Sequence, residues 1–243
     1  MVINIKDKSQ FVNGYLRPIS ALTEAVIIKS NDNKLQCIAN NEQGLIIYAS
    51  YDIDIEEKLV FNIPNVKKLE KVLTFIDSDE VNLNYKGNAL GYSDKKLRFK
   101  YHFLDDNIIQ APKLSVDKIL NLPFNIEFKI DSSSINELAK GAAFVSESEK
   151  LYFNIADGEI FAEITDKSNS SVDSYSIKVA DIDDDVSTSF PIHFDIIRLL
   201  GSTNADQIVV KINTEQGLSM FEIDTSYSKL KYVVPGLQVW RIK

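Results

Sequence analysis

The sequence predicts an α+β fold made of two similar halves, with helices on one face of antiparallel sheets. The predicted elements repeat in the same order: residues 5–101 and residues 130–233 each give a short helix, a run of strands, a second short helix and three more strands. The halves also end on similar tetrapeptides, Lys96-Leu97-Arg98-Phe99 and Lys229-Leu230-Lys231-Tyr232. A duplicated, strand-rich unit favours an arc of a closed, ring-forming assembly over one pocketed enzyme.

In the first half, a helix is predicted to begin at Asp7 or Ser9, which are both good N-cap residues. Phe11 and Tyr15 belong to its apolar stripe, and Pro18 is expected to break or end it because proline has no backbone N–H. Apolar runs bounded by turn residues then predict strands over residues 26–29, 35–39 and 45–50.

The second helix is predicted over residues 65–76. Apolar residues such as Val66, Leu69 and Leu73 recur at helical spacing, and lysines occupy the opposite side. Strands are predicted to follow over residues 81–85, 89–93 and 97–103, with a tight turn between the first two.

Residues 105–124 are predicted to connect two domains, an N-terminal one over residues 1–104 and a C-terminal one over residues 125–243. This connector has no convincing helix or strand period and holds two of the six prolines. It is unusually apolar for a linker, so we expect it to lie against a domain rather than to extend freely.

The second half gives elements of the same kind. Ser132, Ser133 and Ser134 can cap a helix that carries Ile135 and Leu138 inward, and a second short helix is predicted near residues 193–201. Strands are predicted over residues 125–130, 151–155, 159–165, 174–179, 207–213, 218–224 and 229–234.

Charge and cysteine content limit the classes of function. The formal net charge of −8 argues against a protein that coats nucleic acid with its whole surface, but it allows a local basic face. The single cysteine, Cys37, cannot form an internal disulfide and fits a reducing compartment. Since the sequence shows neither a signal peptide nor a membrane-spanning apolar run, we expect a cytoplasmic protein with no membrane partner.

The sequence holds no recognisable catalytic motif. His102 and His193 are the only histidines, and no Cys/His spacing, Walker loop, G-x-G-x-x-G or G-x-S-x-G is found. The acidic runs over residues 52–57 and 181–185 favour solvated loops, with metal binding as the alternative. We therefore expect a binding or structural protein, with no catalytic residue, no metal and no cofactor.

Basic residues collect on the predicted helices. Lys67, Lys68 and Lys71 share one face of the second helix, which an ordinary solvated exterior also explains. In so acidic a chain, however, lysines on equivalent helices of two repeats favour a common polyanion, bound through its phosphates without sequence preference. The further residues of this candidate surface are Lys6, Lys8, Arg17, Lys140 and Arg198.

The element order and four segments of the second half, over residues 151–167, 174–179, 190–194 and 230–234, resemble the PCNA-like superfamily of DNA sliding clamps. The resemblance is strongest to T-even-type bacteriophage clamps, which are DNA polymerase processivity factors. It implies a homotrimeric ring of six similar domains, with the basic helices facing an encircled DNA duplex. It also implies an ATP-dependent clamp loader, a tethered replicative polymerase and, in such phages, a role in late transcription.

The resemblance further implies an apolar groove for partner peptides and edge strands that pair between subunits. The groove would lie beside the connector and the last strand. The apolar residues that would line it could equally well pack inside their own domain. The strand over residues 174–179 would be one pairing edge, and Trp240 could belong to the groove. The groove residues are Ile108, Ile109, Leu114, Val233, Val234 and Pro235.

Two other classes of protein stay open at this point. A β-rich phage structural or assembly protein with no DNA role would be indifferent to DNA and to polymerase. A hydrolase that uses clustered carboxylates would need a deep pocket. A cellular clamp of the same architecture is a close variant of the sliding-clamp hypothesis.

Overall fold

The computed structural model describes residues 1–169, 171–183, 186–203 and 205–237. The chain divides into two compact units. Unit 1 contains Met1–Asn121 and Asp224–Lys231, and unit 2 contains Leu122–Ile223 and the chain from Tyr232 onward. The last strand, Ser228–Pro235, therefore contributes its first residues to unit 1 and its last residues to unit 2.

Unit 1 contains two sets of antiparallel strands, in the orders β5-β2-β3-β4 and β1-β6-β7-β8. Strands β6 and β7 have the bounds that the sequence predicts, whereas β1 and β5 were not predicted because four residues are too few to show a period. The strands are β1 (Val2–Ile5), β2 (Val26–Asn31), β3 (Lys34–Asn40), β4 (Ile46–Asp52), β5 (Val60–Ile63), β6 (Val81–Tyr85), β7 (Ala89–Ser93) and β8 (Arg98–His102).

The first helix continues past Pro18, so the prediction that the proline breaks or ends it is wrong. Gln10–Leu16 is π-helical and runs directly into α1 (Arg17–Leu22), with Pro18 in the first turn of α1. The N–H of Arg17 donates to the carbonyl of Val12, five residues back. The hydrogen bonding thus changes from the π to the α pattern at Pro18. Proline has no backbone N–H, so the change leaves no donor unpaired at this position.

Two further helices belong to unit 1. Helix α2 (Val66–Thr74) is confirmed, and it buries Val66, Leu69 and Leu73 as its period predicts. The connector contains a short helix, α3 (Val116–Leu120), which the sequence analysis missed; Ser115 caps it by accepting from the N–H of Lys118. The connector is therefore partly ordered by local hydrogen bonds.

Unit 2 repeats this plan with the strand orders β12-β11-β10-β13 and β16-β15-β14-β9. Strand β13 was not predicted because Pro191 interrupts its pattern; it lies at a sheet edge, where a missing N–H is tolerated. The elements are β9 (Ile126–Asp131), α4 (Ser132–Phe144), β10 (Lys150–Ala156), β11 (Glu159–Ile164), β12 (Tyr175–Asp181), β13 (Thr188–His193), α5 (Asp195–Gly201), β14 (Gln207–Asn213), β15 (Leu218–Asp224) and β16 (Ser228–Pro235).

The duplication extends to the strand pairing. In each unit the first strand pairs with the strand that follows the second helix, β1 with β6 and β9 with β14. The strand before the second helix likewise pairs with the one after the first helix, β5 with β2 and β13 with β10. This α+β architecture, with helices packed against antiparallel sheets, confirms the predicted fold class.

Close packing of α4 on β12 generates the first prediction. A methyl group on Gly141 would lie 2.2 Å from the ring of Tyr175. We expect Gly141→Ala to lower the free energy of unfolding by about 1–3 kcal/mol, because over-packing forces side chains out of place. Urea denaturation measures the change. Gly201→Ala is the matched control, since its nearest contact is Ile135 at 4.0 Å; equal stability of the two variants would contradict the prediction.

Candidate nucleic-acid interface

Helix α2 is fixed at its start by two side chains. The Asn65 side chain accepts from the N–H of Lys68 at 2.7 Å, and the N–H of Asn65 itself donates to the Tyr101 hydroxyl on β8 at 3.1 Å. The buried face of the helix then turns its lysines outward. We call the exposed residues Lys67, Lys68 and Lys71 the α2 lysine face.

Glu70, the one acidic residue of α2, is held by the neighbouring helix. Its carboxylate accepts from Nε of Arg17 at 2.8 Å and from the hydroxyl of Ser20 at 2.9 Å, and its side chain is only 13% exposed. The pair cross-links α1 and α2 and neutralises both charges. In the described ranges the α2 lysine face makes no ion pair, so its positive charge is directed to solvent.

Lys6 and Lys8 contact groups outside the α2 lysine face. The ammonium of Lys8 donates to the backbone carbonyl of Ile76, just after α2, and so it stabilises that turn. Lys6 lines a cleft of unit 1 together with Asp32, Asp52 and Asp54. The contacts found for both lysines are thus with other groups, although the sequence analysis placed them in one candidate surface with the α2 lysine face.

The helices of unit 2 are nearly neutral. Arg198 on α5 pairs with Asp195 at 2.9 Å, and its guanidinium lies 5.6 Å from the centre of the Phe194 ring. Lys140 is exposed on α4, one turn from Glu137. The positive face is therefore concentrated in unit 1, although both units share one topology.

The residues of the expected peptide groove belong to both units of the chain. In unit 1 the connector residue Leu114 helps to line a pocket of about 210 Å³ against β2 and β3, while Ile109 is half-buried and Ile108 is 58% exposed. In unit 2 Val233 and Val234 are buried in their own core, and Pro235 is half-buried. The side chains of Val233 and Val234 are thus committed to packing.

The same pocket is lined by Cys37. Burial raises the pKa of this thiol to about 12, and the side chain is buried on β3. The thiolate that would react or bind metal is therefore suppressed at neutral pH, and Cys37 serves as a small buried hydrophobe.

The described part of the chain contains neither a candidate metal site nor a membrane-spanning helix. Within those residues no group of three His, Cys, Asp or Glu side chains could hold a metal ion. None of the helices described there is long and apolar enough to cross a membrane. Trp240 and residues 184 and 185 of the acidic run lie outside the described residues.

A second basic cluster, which the sequence analysis missed, lies around β8. Its members are exposed and come from the β6–β7 turn, the β7–β8 turn and β8 itself. The signal was present in the sequence, because residues 86–100 hold five basic residues and one acidic residue. The β8 basic patch consists of Lys86, Lys95, Lys96, Arg98 and Lys100.

Solved structures of known proteins share this fold. Proliferating cellular nuclear antigen (PCNA) from Entamoeba histolytica superposes with a TM-score of 0.79 at 12% identity, over 98% of each chain. PCNA from Thermococcus kodakaraensis gives 0.76 at 12% identity, over 97% of this chain and 99% of the other. The chain has the PCNA-like clamp fold. A third match is the A. fulgidus PCNA bound to the C-terminal region of FEN-1, with a TM-score of 0.77 at 14% identity over 98% and 99% of the chains.

These likenesses are structural. No family model matches the sequence, and a sequence search of curated proteins finds no match. At 12–14% identity they concern the fold alone.

The Glu70 cross-link generates the second prediction. We expect Glu70→Gln to lower the free energy of unfolding by about 1–2 kcal/mol, because the charged bond to Arg17 and its partner bond to Ser20 are weakened. Glu42→Gln is the matched control, since Glu42 is exposed in the β3–β4 turn. Denaturant unfolding measures both variants; a Glu70→Gln curve that overlays the Glu42→Gln curve would contradict the prediction.

Proposed function

We propose that this protein is a DNA sliding clamp, a homotrimeric ring that encircles duplex DNA and tethers a replicative DNA polymerase. The observation that carries the proposal is the likeness to PCNA structures over 98% of the chain, together with the α2 lysine face. As a scaffold of this kind it performs no reaction and needs no cofactor. Its place of action is the cytoplasm, that of the host cell if a phage encodes it.

The charge distribution of the chain fits this role. A closed ring stays on DNA because it is closed, so its contacts can be weak. The α2 lysine face supplies phosphate contacts that carry no sequence information and therefore permit sliding. A formal net charge of −8 on the whole chain opposes DNA binding elsewhere on the surface.

The repeat itself suggests how copies join. In unit 1 the end of β4 pairs with the Asp224–Lys231 segment: the N–H of Asp52 donates to the carbonyl of Tyr227 at 2.8 Å, just before β16. The repeat equivalents of β4 and β16 are β12 and β8, and each of these ends its own sheet. We infer that β12 of one copy pairs with β8 of the next, which would extend both sheets and remove two open edges.

The proposed partners follow from the same fold. An ATP-dependent loader would open the ring, and a polymerase would attach through a short segment. In the matched A. fulgidus structure the PCNA holds the C-terminal region of FEN-1. We propose that the connector pocket beside Leu114, together with exposed Ile108 of the same connector, takes part in peptide binding here. A role in phage late transcription extends the same tethering to RNA polymerase.

The mass in solution is the first test of the proposal. We expect light scattering at moderate salt to give a species near three times 27.4 kDa, which dissociates on dilution. A strict monomer at every concentration would contradict the ring and favour a β-rich structural or assembly protein with no DNA role. Polymerase extension on a singly primed circular template, with and without the loader, then tests the tethering.

The α2 lysine face gives a separate test on DNA. We expect the triple variant Lys67→Ala, Lys68→Ala, Lys71→Ala to bind linear duplex more weakly. The slope of log affinity against log salt should decrease by about 2–3 per chain, since each phosphate contact contributes about 0.9.

Fluorescence anisotropy at several salt concentrations measures this slope. A matched triple variant at exposed lysines outside the face, Lys58→Ala, Lys118→Ala, Lys129→Ala, should keep the wild-type slope. Equal slopes for the two triple variants would remove the α2 lysine face as the DNA contact.

A further inference from the structure

We propose that one face of the sheet β1-β6-β7-β8 binds an acidic segment of a partner protein in extended conformation. The site is built from side chains of β6, β7 and β8, all of which belong to unit 1. It goes beyond the proposed function, because it adds a contact that neither the α2 lysine face nor the connector pocket provides. It also needs no ring, since every residue of the site comes from one chain.

Strand β8 places its basic side chains on one face of this sheet. Arg98, Lys100 and His102 are exposed, whereas Tyr101 is buried. The Tyr101 hydroxyl donates to the carbonyl of Asn65 at 2.7 Å, so this side chain points toward the start of α2. Because successive strand residues point to opposite faces, the three exposed side chains point away from α2. We call Arg98, Lys100 and His102 the outward row.

A cavity lies beside the outward row, over small residues of β7. The cross-strand pairs are Arg98 with Ser93, Lys100 with Gly91, and His102 with Ala89. The cavity has a volume of about 430 Å³, and it is lined by these three small residues, by Lys100, and by Asn84 and Lys86 from β6 and the turn after it. Ammonium, amide and hydroxyl groups are thus available in it as donors, and no carboxylate lies among the described residues that line it.

Gly91 keeps this cavity open. A methyl group on Gly91 would lie 3.7 Å from the carbonyl oxygen of Phe99 and 3.8 Å from that of Asn84, which is ordinary van der Waals contact. A larger side chain at this position would therefore extend into the cavity and away from the core. Glycine inside a strand often marks a place where another backbone approaches closely, and the cavity over Gly91 allows such an approach.

The positive charge of this face is available to a ligand. Within the described ranges of the chain, Lys86, Arg98 and Lys100 form no ion pair. Asp94 is the only acidic residue within residues 86–100, and its carboxylate accepts from two N–H groups of its own turn at 2.7 and 2.6 Å. The three cationic side chains can therefore bind an anionic partner without breaking an existing pair.

The spacing of the outward row matches an acidic segment in extended conformation. Side chains two residues apart on a strand lie about 7 Å apart on one face, and an extended peptide has the same repeat. Carboxylates at every second position of a bound peptide can therefore reach Arg98 and Lys100 together. The guanidinium of Arg98 can bind a carboxylate through two parallel hydrogen bonds, and Lys86, on the β6 side of the cavity, can bind a further one.

This face also stays accessible in the proposed ring. DNA inside the ring would meet the α2 lysine face, whereas the outward row points away from α2. The strand pairing proposed for the edge of β8 uses backbone groups, so it leaves the side chains of the outward row free. A protein segment that carries carboxylates can therefore bind here while the clamp is on DNA.

Peptide binding tests the proposal. The probe is a fluorescein-labelled octapeptide of alternating glutamate and serine, and its binding to the full chain is measured by fluorescence anisotropy at low salt. We expect Arg98→Ala with Lys100→Ala to weaken binding by about 10-fold, because two exposed ion pairs are lost. Gly91→Ile should weaken binding to a similar extent without a change of charge, because its side chain fills the cavity.

The matched control is Lys58→Ala with Lys129→Ala. This variant removes the same charge at other exposed positions, and it should bind the probe as the wild-type chain does. Urea unfolding of each variant shows whether its fold is kept. The double variant Arg98→Ala, Lys100→Ala tests the site even if Gly91→Ile fails to fold.

Weaker binding by both site variants, with an unchanged control, is the expected result. A wild-type chain that does not bind the probe overturns the site, as does a folded site variant that binds the probe as tightly as the control. If an octamer of thymidylate displaces the probe more effectively than the unlabelled peptide does, the face is a nucleic-acid site and the proposal is overturned. The assay needs neither a ring nor a polymerase, so its failure leaves the proposed sliding clamp untouched.

Discussion

Helices α2, α4 and α5 each bury one apolar face, and the exposure of the opposite face follows from that constraint. In α2 the burial of Leu69 and Leu73 fixes the rotation of the helix about its axis. The α2 lysine face therefore points to solvent. The bond from Glu70 to Arg17 completes the arrangement, because it removes the single negative charge from the face while linking two helices. Packing energy and surface charge are therefore set by the same few residues.

The same constraint separates what the sequence could predict from what it could not. Helix α2 was predictable because nine residues show a full apolar period, and β6 and β7 because a tight turn separates two alternating runs. Strand β1 was not predicted because its four residues form a strand only by pairing with β6, which lies almost eighty residues away in the sequence. The first helix was predictable from its apolar stripe, but its continuation past Pro18 was not, because proline usually stops a helix that it does not begin.

The candidate surfaces show a similar division. Outward-facing lysines on a periodic helix can be read from the sequence, but the contacts of Lys8 with Ile76 and of Lys6 with an acidic cleft arise only on folding. The burial of Val233 and Val234, which are neighbours on β16, likewise arises only on folding. The residues of the β8 basic patch are visible in the sequence as a run of basic residues. They lie on a strand and two turns, where helical periodicity cannot show that they share a surface, and so the patch was not predicted.

In the proposed ring, the unequal charge of the two units would affect motion along DNA. Both units have one topology, but the lysines lie on α2 of unit 1, while Arg198 on α5 of unit 2 is paired with Asp195. A ring of three such chains would present three positive sectors separated by three nearly neutral ones. The electrostatic potential felt by an enclosed duplex would then repeat every third of a turn rather than every sixth. DNA could lean toward one sector and pass from sector to sector as it rotates, so the energy barrier between sectors, rather than the total charge, would set the friction of sliding.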